Sequence, residues 1–239
     1  MDDLNEMKSD FIGGASYGQE IEPVGAYAAK TFGWMCLGLL TTFAVAMAMI
    51  FTGAIWAVFS VPAMPFILLI AELGVVIYLS ARIGSMSVGK AKGLFFTYAV
   101  LNGIVFSTIF VAYGMWSVLL AFLSASLYFG VMAGVGYYTK VDLSGMRPIL
   151  FSGLIFLVVV WFLSIFIGLG AFERIVCMIG VAVFLGFTAY DTQKIRAYHA
   201  AFSCDPEMAK KASIFSALQL YLDFINLFLY ILRFMGKRN

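Results

Sequence analysis

Residues 212–232, ASIFSALQLYLDFINLFLYIL, form an apolar run of membrane-spanning length with a single charged side chain, Asp223. A second apolar run, residues 175–190, is closed by Asp191. A carboxylate at the centre of a helix in a bilayer costs about 2.5–3.5 kcal/mol on insertion scales. Both aspartates therefore need compensation, which in membrane proteins comes from an ion, a proton or an opposite charge.

Apolar side chains dominate the whole chain. Of its 239 residues, 63% are hydrophobic and 12% are charged, and the mean hydropathy is +0.98. The apolar runs are continuous, whereas a membrane β-barrel shows short segments of alternating polarity. Because only helices and closed barrels satisfy the backbone in lipid, the composition predicts an all-α integral membrane protein whose main partner is the lipid bilayer.

Charge and cysteine content exclude other classes of protein. The net charge is only +2, and no run of Lys and Arg indicates binding to nucleic acid. The three cysteines share no short spacing, so they predict neither a disulfide framework nor a zinc site. Residues 14–18 match the G-x-S-x-G pattern but lie in a polar tail without the strand, turn and helix that a serine nucleophile needs. We therefore expect no enzymatic activity and no resident cofactor.

Uncharged stretches divide the chain into a mobile acidic tail, residues 1–30, and one membrane domain, residues 31–236. Gly130 and Gly134 form a G-x-x-x-G pattern in this domain, which predicts close helix packing. The domain is predicted to be a bundle of seven transmembrane helices, each near the roughly 20 residues needed to cross. Their predicted ranges are 31–52, 57–81, 92–112, 115–138, 148–169, 173–196 and 211–233.

The distribution of Lys and Arg predicts the orientation. The loops after the second, fourth and sixth helices carry nine of these residues, and the loops after the first, third and fifth carry one. Since positive loops stay in the cytoplasm, the N-terminus is predicted to be cytoplasmic and the C-terminus external. The basic C-terminal residues fit this orientation less well, and they leave open a model with six crossings and a re-entrant last segment.

Polar side chains share one face of the last predicted helix, at spacings of three, four and seven residues from Asp223. Lipid disfavours such a face, so it is expected to point inward and to place the C-terminal helix at the centre of the bundle. Interhelical hydrogen bonds would explain the uncharged members, but they explain the charge of Asp223 poorly. The stripe consists of Ser216, Gln219, Asp223, Asn226 and Tyr230.

Three further charged residues are candidates for ion pairs. Arg82 ends the second predicted helix on the same side as Asp191, where it is either a counter-charge for Asp191 or an ordinary arginine of a cytoplasmic loop. Glu72 lies ten residues deeper than Arg82, and Arg233 lies ten residues beyond Asp223. A pair between Glu72 and Arg233 is therefore predicted in the outer half of the bundle.

Two long strings, GFTAYDTQKI at 186–195 and LYLDFINLF at 220–228, resemble the transmembrane Bax inhibitor motif family, with the resemblance covering residues 25–236. The resemblance implies a seven-helix bundle with a central last helix and a pH-sensitive calcium leak. It also implies that Asp191 and Asp223 form the sensor and that Arg82 latches Asp191. The compact chain resembles bacterial members, so we expect it in a bacterial plasma membrane.

The chemistry of two neighbouring carboxylates agrees with this role. In a low-dielectric site both cannot ionise cheaply, so the pair is expected to titrate as a coupled unit. Calcium prefers oxygen ligands, and ionised carboxylates supply them. Protons and calcium, the transported ion, would then compete for Asp191 and Asp223.

Three other functions remain open at this point. An intramembrane aspartyl protease also needs two aspartates, and Tyr190-Asp191 resembles half of its signature, but Tyr221-Leu222-Asp223 lacks the glycine-rich second half. A proton-coupled transporter would be supported by inverted repeats, and none is evident. A scaffold that binds other membrane proteins would use the buried charges for stability alone.

Overall fold

The computed structural model describes residues 22–167, 170 and 172–235, and these residues are helical almost throughout. A 3-10 turn, Ser144–Met146, precedes α5. The described residues contain no strand, which confirms the predicted all-α fold. The helices are α1 Val24–Phe51, α2 Ala54–Phe59, α3 Met64–Arg82, α4 Val88–Tyr138, α5 Arg147–Phe166, α6 Phe172–Phe202 and α7 Pro206–Met235.

Six helices in the described part of the chain, all except α2, are long and apolar enough to cross a membrane. This finding agrees with the predicted integral membrane protein. The first of them begins at Val24, inside the segment predicted to be a tail. Most of that tail, residues 1–21, lies outside the described residues, as does the G-x-S-x-G pattern within it.

Gly114 divides α4 into two helical segments. A continuous helix of its 51 residues would be about 77 Å long, against roughly 30 Å for the hydrocarbon core of a bilayer. At Gly114 the backbone leaves the helical region, with φ 72° and ψ 154°, a conformation that favours glycine. Phe106 and Phe122, equidistant from Gly114, both contact the ring of Phe228, at centroid distances of 5.6 and 6.5 Å. The chain therefore turns back at Gly114, where the sequence predicts a division between two helices.

The last helix is the most deeply buried of the six. In the most apolar 18-residue stretch of α7, 67% of the residues are buried, whereas the corresponding share in the other five helices is 11–39%. It packs against α1, α4 and α6. Aromatic side chains of α4 surround it, with Phe129 edge-on to Phe224 and Tyr98 edge-on to Tyr221. The stripe of polar residues on α7 thus lies among protein side chains.

A glycine allows the backbones of α4 and α6 to touch. A Cβ atom added at Gly136 would overlap the backbone of Ala189, two residues before Asp191. By contrast, a Cβ atom at Gly130 or Gly134 would meet no described atom of another element within 4 Å. The predicted close packing of the G-x-x-x-G pattern is therefore wrong within this chain, because these glycines line an open groove between α4 and α1 and do not touch another helix.

Replacement of Gly136 by alanine should separate α4 from α6. Overpacking of this kind costs about 1–3 kcal/mol, so we expect Gly136→Ala to lower the melting temperature of the detergent-solubilised protein by several degrees. Gly134→Ala is the matched control, because its methyl group enters open space and alanine favours the helix. Equal melting temperatures for the two variants would contradict the close approach of α4 to α6.

Candidate functional site

The structure brings Asp191 of α6 and Asp223 of α7 together. Each residue is only 5% exposed, and their carboxyl groups lie close enough to interact directly. A carboxylate can only accept a hydrogen bond, so these neighbouring groups can bond to each other only when one of them carries a proton. If both were ionised, Oδ2 of Asp223 would have no donor among the described residues. A single proton shared by the pair would supply that donor.

The two aspartates meet without any unwinding of their helices. The sequence places Asp191 nearer to the membrane surface than Asp223, because it ends the sixth helix near residue 196 and begins the seventh near residue 211. In the structure α6 continues to Phe202 and α7 begins at Pro206. Both helices are thus longer than predicted, but Asp191 still lies 11 residues from the end of α6 and Asp223 lies 17 residues from the start of α7. Side chains tilt toward the N-terminus of their own helix, so in this antiparallel pair the two carboxyl groups approach each other across that offset.

Lys194 is the cation of this site. Its Nζ atom lies 3.4 Å from Oδ1 of Asp191 and 3.4 Å from Oε1 of Gln219 in α7. The rings of Tyr190 and Tyr198 lie 5.4 and 5.5 Å from the same ammonium group. Lys194 therefore links α6 to α7 one helical turn from the carboxyl pair. The sequence analysis counted it only as a loop charge, although its spacing of three residues from Asp191 indicates a neighbour on a helix.

The predicted contact between Arg82 and Asp191 is not formed. Arg82 is exposed at the end of α3, and among the described residues it makes no ion pair. Lys194 takes its place because it lies on the same helix face as Asp191, whereas Arg82 extends from a helix end toward water. This corrects the expectation that Arg82 is the partner of Asp191 in this arrangement.

The predicted pair between Glu72 and Arg233 is also not formed. The Nε atom of Arg233 lies 3.7 Å from Oε1 of Glu173, at the start of α6. Since α7 ends where its antiparallel neighbour α6 begins, Glu173 is the nearer acid. Glu72 is partly buried in α3, and its Oε1 atom has no donor within the described part of the chain.

Glu72 instead borders a group of buried hydroxyls that the sequence analysis missed. It lies near Tyr98 and Tyr221, and the hydroxyl groups of Tyr221 and Thr42 are 2.6 Å apart. Tyr221 and Asp223 are two residues apart on α7, so they point to opposite sides of that helix. The last helix therefore carries a polar group on each side.

The polar stripe of α7 divides into two parts. Gln219 and Asp223 face the polar groups of α6, and the Oγ atom of Ser216 is buried without a described partner. Asn226 donates a hydrogen bond of 2.8 Å to the carbonyl oxygen of Leu222 in its own helix. The side chain of Asn226 is thus hydrogen-bonded within its own helix. Asp223 is therefore the last residue of the stripe that belongs to the candidate site.

The oxygen atoms of this site suit a hard cation. The carboxyl groups of Asp191 and Asp223 and the amide oxygen of Gln219 are donors of the type that calcium prefers. The described residues contain no group of three or more His, Cys, Asp or Glu side chains that could hold a metal ion together. The site therefore offers two carboxyl groups, which a cation would have to share with Lys194 and with the proton of the pair.

Removal of Lys194 should make stability depend on pH. In Lys194→Met the carboxylate of Asp191 loses its cation, and an unpaired buried charge costs about 1–3 kcal/mol or more. We expect Lys194→Met to be less stable than the native protein at neutral and alkaline pH. In acid, where Asp191 becomes neutral, the two proteins should be equally stable. Melting temperatures over a pH series measure the effect. Arg82→Met is the matched control, and an identical pH series for the two variants would contradict the role of Lys194.

Comparison with known proteins places the chain in a family. A family model described as "Inhibitor of apoptosis-promoting Bax1" matches residues 24–239. The chain is 41% identical to "Inner membrane protein YbhL" of Escherichia coli strain K12, over 89% of this chain and 92% of that protein. It is 35% identical to an uncharacterized protein of Rickettsia prowazekii, RP147, over 91% of this chain and 92% of the relative.

A third relative is a membrane protein of Streptococcus pyogenes, SpyM3_0260, which is 35% identical over 69% of this chain and 71% of its own length. All three relatives are bacterial, and two of them are named as membrane proteins. These names agree with the apolar helices of the structure. The chain is an integral membrane protein and belongs to the family of inhibitors of apoptosis-promoting Bax1.

Proposed function

We propose that this protein is a pH-sensitive calcium leak channel and that Asp191 and Asp223 form its sensor and its calcium ligands. The observation that carries the proposal is the proximity of these two buried carboxyl groups, which belong to different membrane-spanning helices. Charged groups at this depth are costly, and they commonly mark a pathway for ions or protons.

The charge balance of the site explains how acid and calcium compete. With one proton on the carboxyl pair, its single negative charge is offset by the ammonium group of Lys194. Loss of that proton leaves one negative charge without a partner in a medium of low dielectric constant. A calcium ion neutralises that charge, with one positive charge in excess as long as Lys194 stays in place, and it gains oxygen ligands. Proton release therefore favours cation binding, and protonation opposes it.

Lys194 takes the role of latch that the resemblance gives to Arg82. Its ammonium group joins Asp191 of α6 to Gln219 of α7, so it holds the two helices together beside the sensor. Protonation of Asp191 removes this attraction and frees Lys194. Acid thus releases the latch but weakens calcium binding, and these opposing effects give calcium flux a maximum at intermediate pH.

The topology that we propose has seven crossings, because α4 turns back at Gly114 and each of its two segments is long enough to span. The last helix, with 67% of its apolar window buried, then lies at the centre of the bundle. The excess of Lys and Arg in alternate loops supports a cytoplasmic N-terminus. The name of the Escherichia coli relative supports a location in the bacterial inner membrane.

A proton-coupled transporter is the second candidate, and Glu72 is the observation in its favour. Its Oε1 atom is buried without a described donor, so the bundle contains a third carboxyl group in addition to the sensor pair. Simultaneous measurement of proton and calcium movement distinguishes the two functions, because only a coupled transporter moves both in fixed proportion. A scaffold for other membrane proteins would show neither movement.

Replacement of Asp223 should abolish the pH dependence of calcium flux. Asn at this position keeps the shape of the side chain but cannot exchange a proton with Asp191. For the native protein in liposomes we expect a bell-shaped curve of calcium flux from mildly acidic to mildly alkaline pH, and for Asp223→Asn a flattened curve. Asp142→Asn is the control, since Asp142 is an exposed loop acid. An unaltered curve in folded Asp223→Asn would falsify the sensor.

The position of the C-terminus tests the seven crossings. Two single-cysteine proteins are needed, one that retains only Cys204, in the turn between α6 and α7, and one that carries only Asn239→Cys. In intact cells a membrane-impermeant maleimide should label the cysteine at 239 from outside and label Cys204 only after permeabilisation. Labelling of both positions only from inside would instead favour the model with six crossings.

A further inference from the structure

A second polar feature lies at the end of the bundle where α1, α4 and α7 begin and α6 ends. It is a cavity of about 500 Å³ between these four helices. We call it the basic cavity, because Lys30, Lys92, Lys210 and His199 line it. This volume is within the usual range of about 300–1,000 Å³ for small-molecule sites. It is separate from the sensor pair, whose residues do not line it.

Positive charges from three helices converge on the basic cavity. Lys30 belongs to α1, Lys92 to α4 and Lys210 to α7, and the acid in the lining is Glu22. Glu22 is already paired with Lys30, at 2.7 Å. Lys92 and Lys210 form no ion pair with any residue that the structure describes. Like charges that face a common space repel one another, so the cavity is most stable when an anion occupies it.

Hydrogen bonds hold the walls of the cavity in place. The hydroxyl group of Tyr27 donates to the carbonyl oxygen of Ala209 at 3.0 Å, and the hydroxyl groups of Thr31 and Ser213 are 2.9 Å apart. These contacts fix α1 against α7. Nε2 of His199 lies 2.6 Å from the carbonyl oxygen of Glu22, which can only accept, so Nε2 carries a proton. The walls of the cavity are therefore preorganised by these hydrogen bonds.

Two further features favour an anion of some size. The first turn of α4 borders the cavity at Val88 and carries no acidic residue, so the positive end of its helix dipole is not neutralised there. The ring of Trp34 forms part of the wall and lies 4.7 Å from Nζ of Lys92. An aromatic wall beside lysines accommodates a ligand with both an anionic group and a less polar body.

We propose that the basic cavity binds the phosphate group of an anionic ligand. The phosphate belongs either to the headgroup of a membrane lipid, since the cavity lies where the spanning helices leave the apolar layer, or to a soluble phosphate ester. Lys92 and Lys210 provide charge-assisted hydrogen bonds to its oxygen atoms. The excess of lysines makes the cavity unfavourable for a divalent cation, so this site is distinct from the proposed calcium site.

Intrinsic fluorescence of the full-length protein tests the proposal, because Trp34 lines the cavity. One arm uses phosphatidylcholine vesicles with added glycerol phosphate, and the other uses vesicles that contain phosphatidylglycerol, both at constant ionic strength. We expect a saturable change in one arm, which identifies the source of the phosphate, and its loss in Trp34→Phe. In Lys92→Gln/Lys210→Gln the apparent affinity should fall by about tenfold or more, as expected for lost hydrogen bonds to charged groups.

The matched control is Lys90→Gln/Lys140→Gln, which removes the same charge from exposed lysines at the same end of the bundle but outside the cavity. An equal loss of affinity in this control would mean a general surface attraction and would overturn the proposal, as would the absence of a saturable change in both arms. Binding that appears only after neutralisation of Asp2, Asp3, Glu6 and Asp10 would also overturn it, since the anion would then be the chain's own acidic segment.

Discussion

The burial of Asp191 beside Asp223 is the constraint on which the rest of the structure depends. Neither carboxyl group can face lipid, so α6 and α7 must bury them against each other and other helices must cover the pair. Gly136 contributes to this cover, because its missing side chain lets α4 touch α6 beside Asp191. The deep burial of α7 follows from the same requirement, since it carries polar groups on two sides.

The ion pairs of α6 and α7 form between residues that lie close together on one helix or on adjacent helices. Lys194 pairs with Asp191 on the same helix, and Arg233 pairs with Glu173 across the adjacent helices α6 and α7. In both cases the backbone already holds the partners close, so little side-chain entropy is lost when they meet. A pair with Arg82 would instead require an exposed side chain at a helix end to leave water. The resemblance therefore identified the acids of the site but not its cation.

The two polar sites of the bundle have opposite charge. The aspartate pair, our proposed sensor, is acidic and almost fully buried, whereas the basic cavity lies at the end of the helices and carries an excess of lysines among its described lining residues. A cation that moved through the basic cavity toward the aspartate pair would be repelled by the lysines, unless a bound anion neutralised their charge. Ser213 lines the cavity and Ser216 lies one turn further along α7, so the two sites occupy successive parts of the same helix.

The sequence by itself determined the all-α membrane fold, the division at Gly114 and the two aspartates, because these depend on apolar length, glycine conformation and the cost of charge in lipid. The ends of α6 and α7 were predicted too far from the turn that joins them, since polar residues there suggested a loop. Only the tertiary structure showed that the aspartates lie beside each other, that Lys194 pairs with Asp191 and that Glu72 stands apart from Arg233. These features depend on which helices become neighbours, and a one-dimensional pattern does not contain that information.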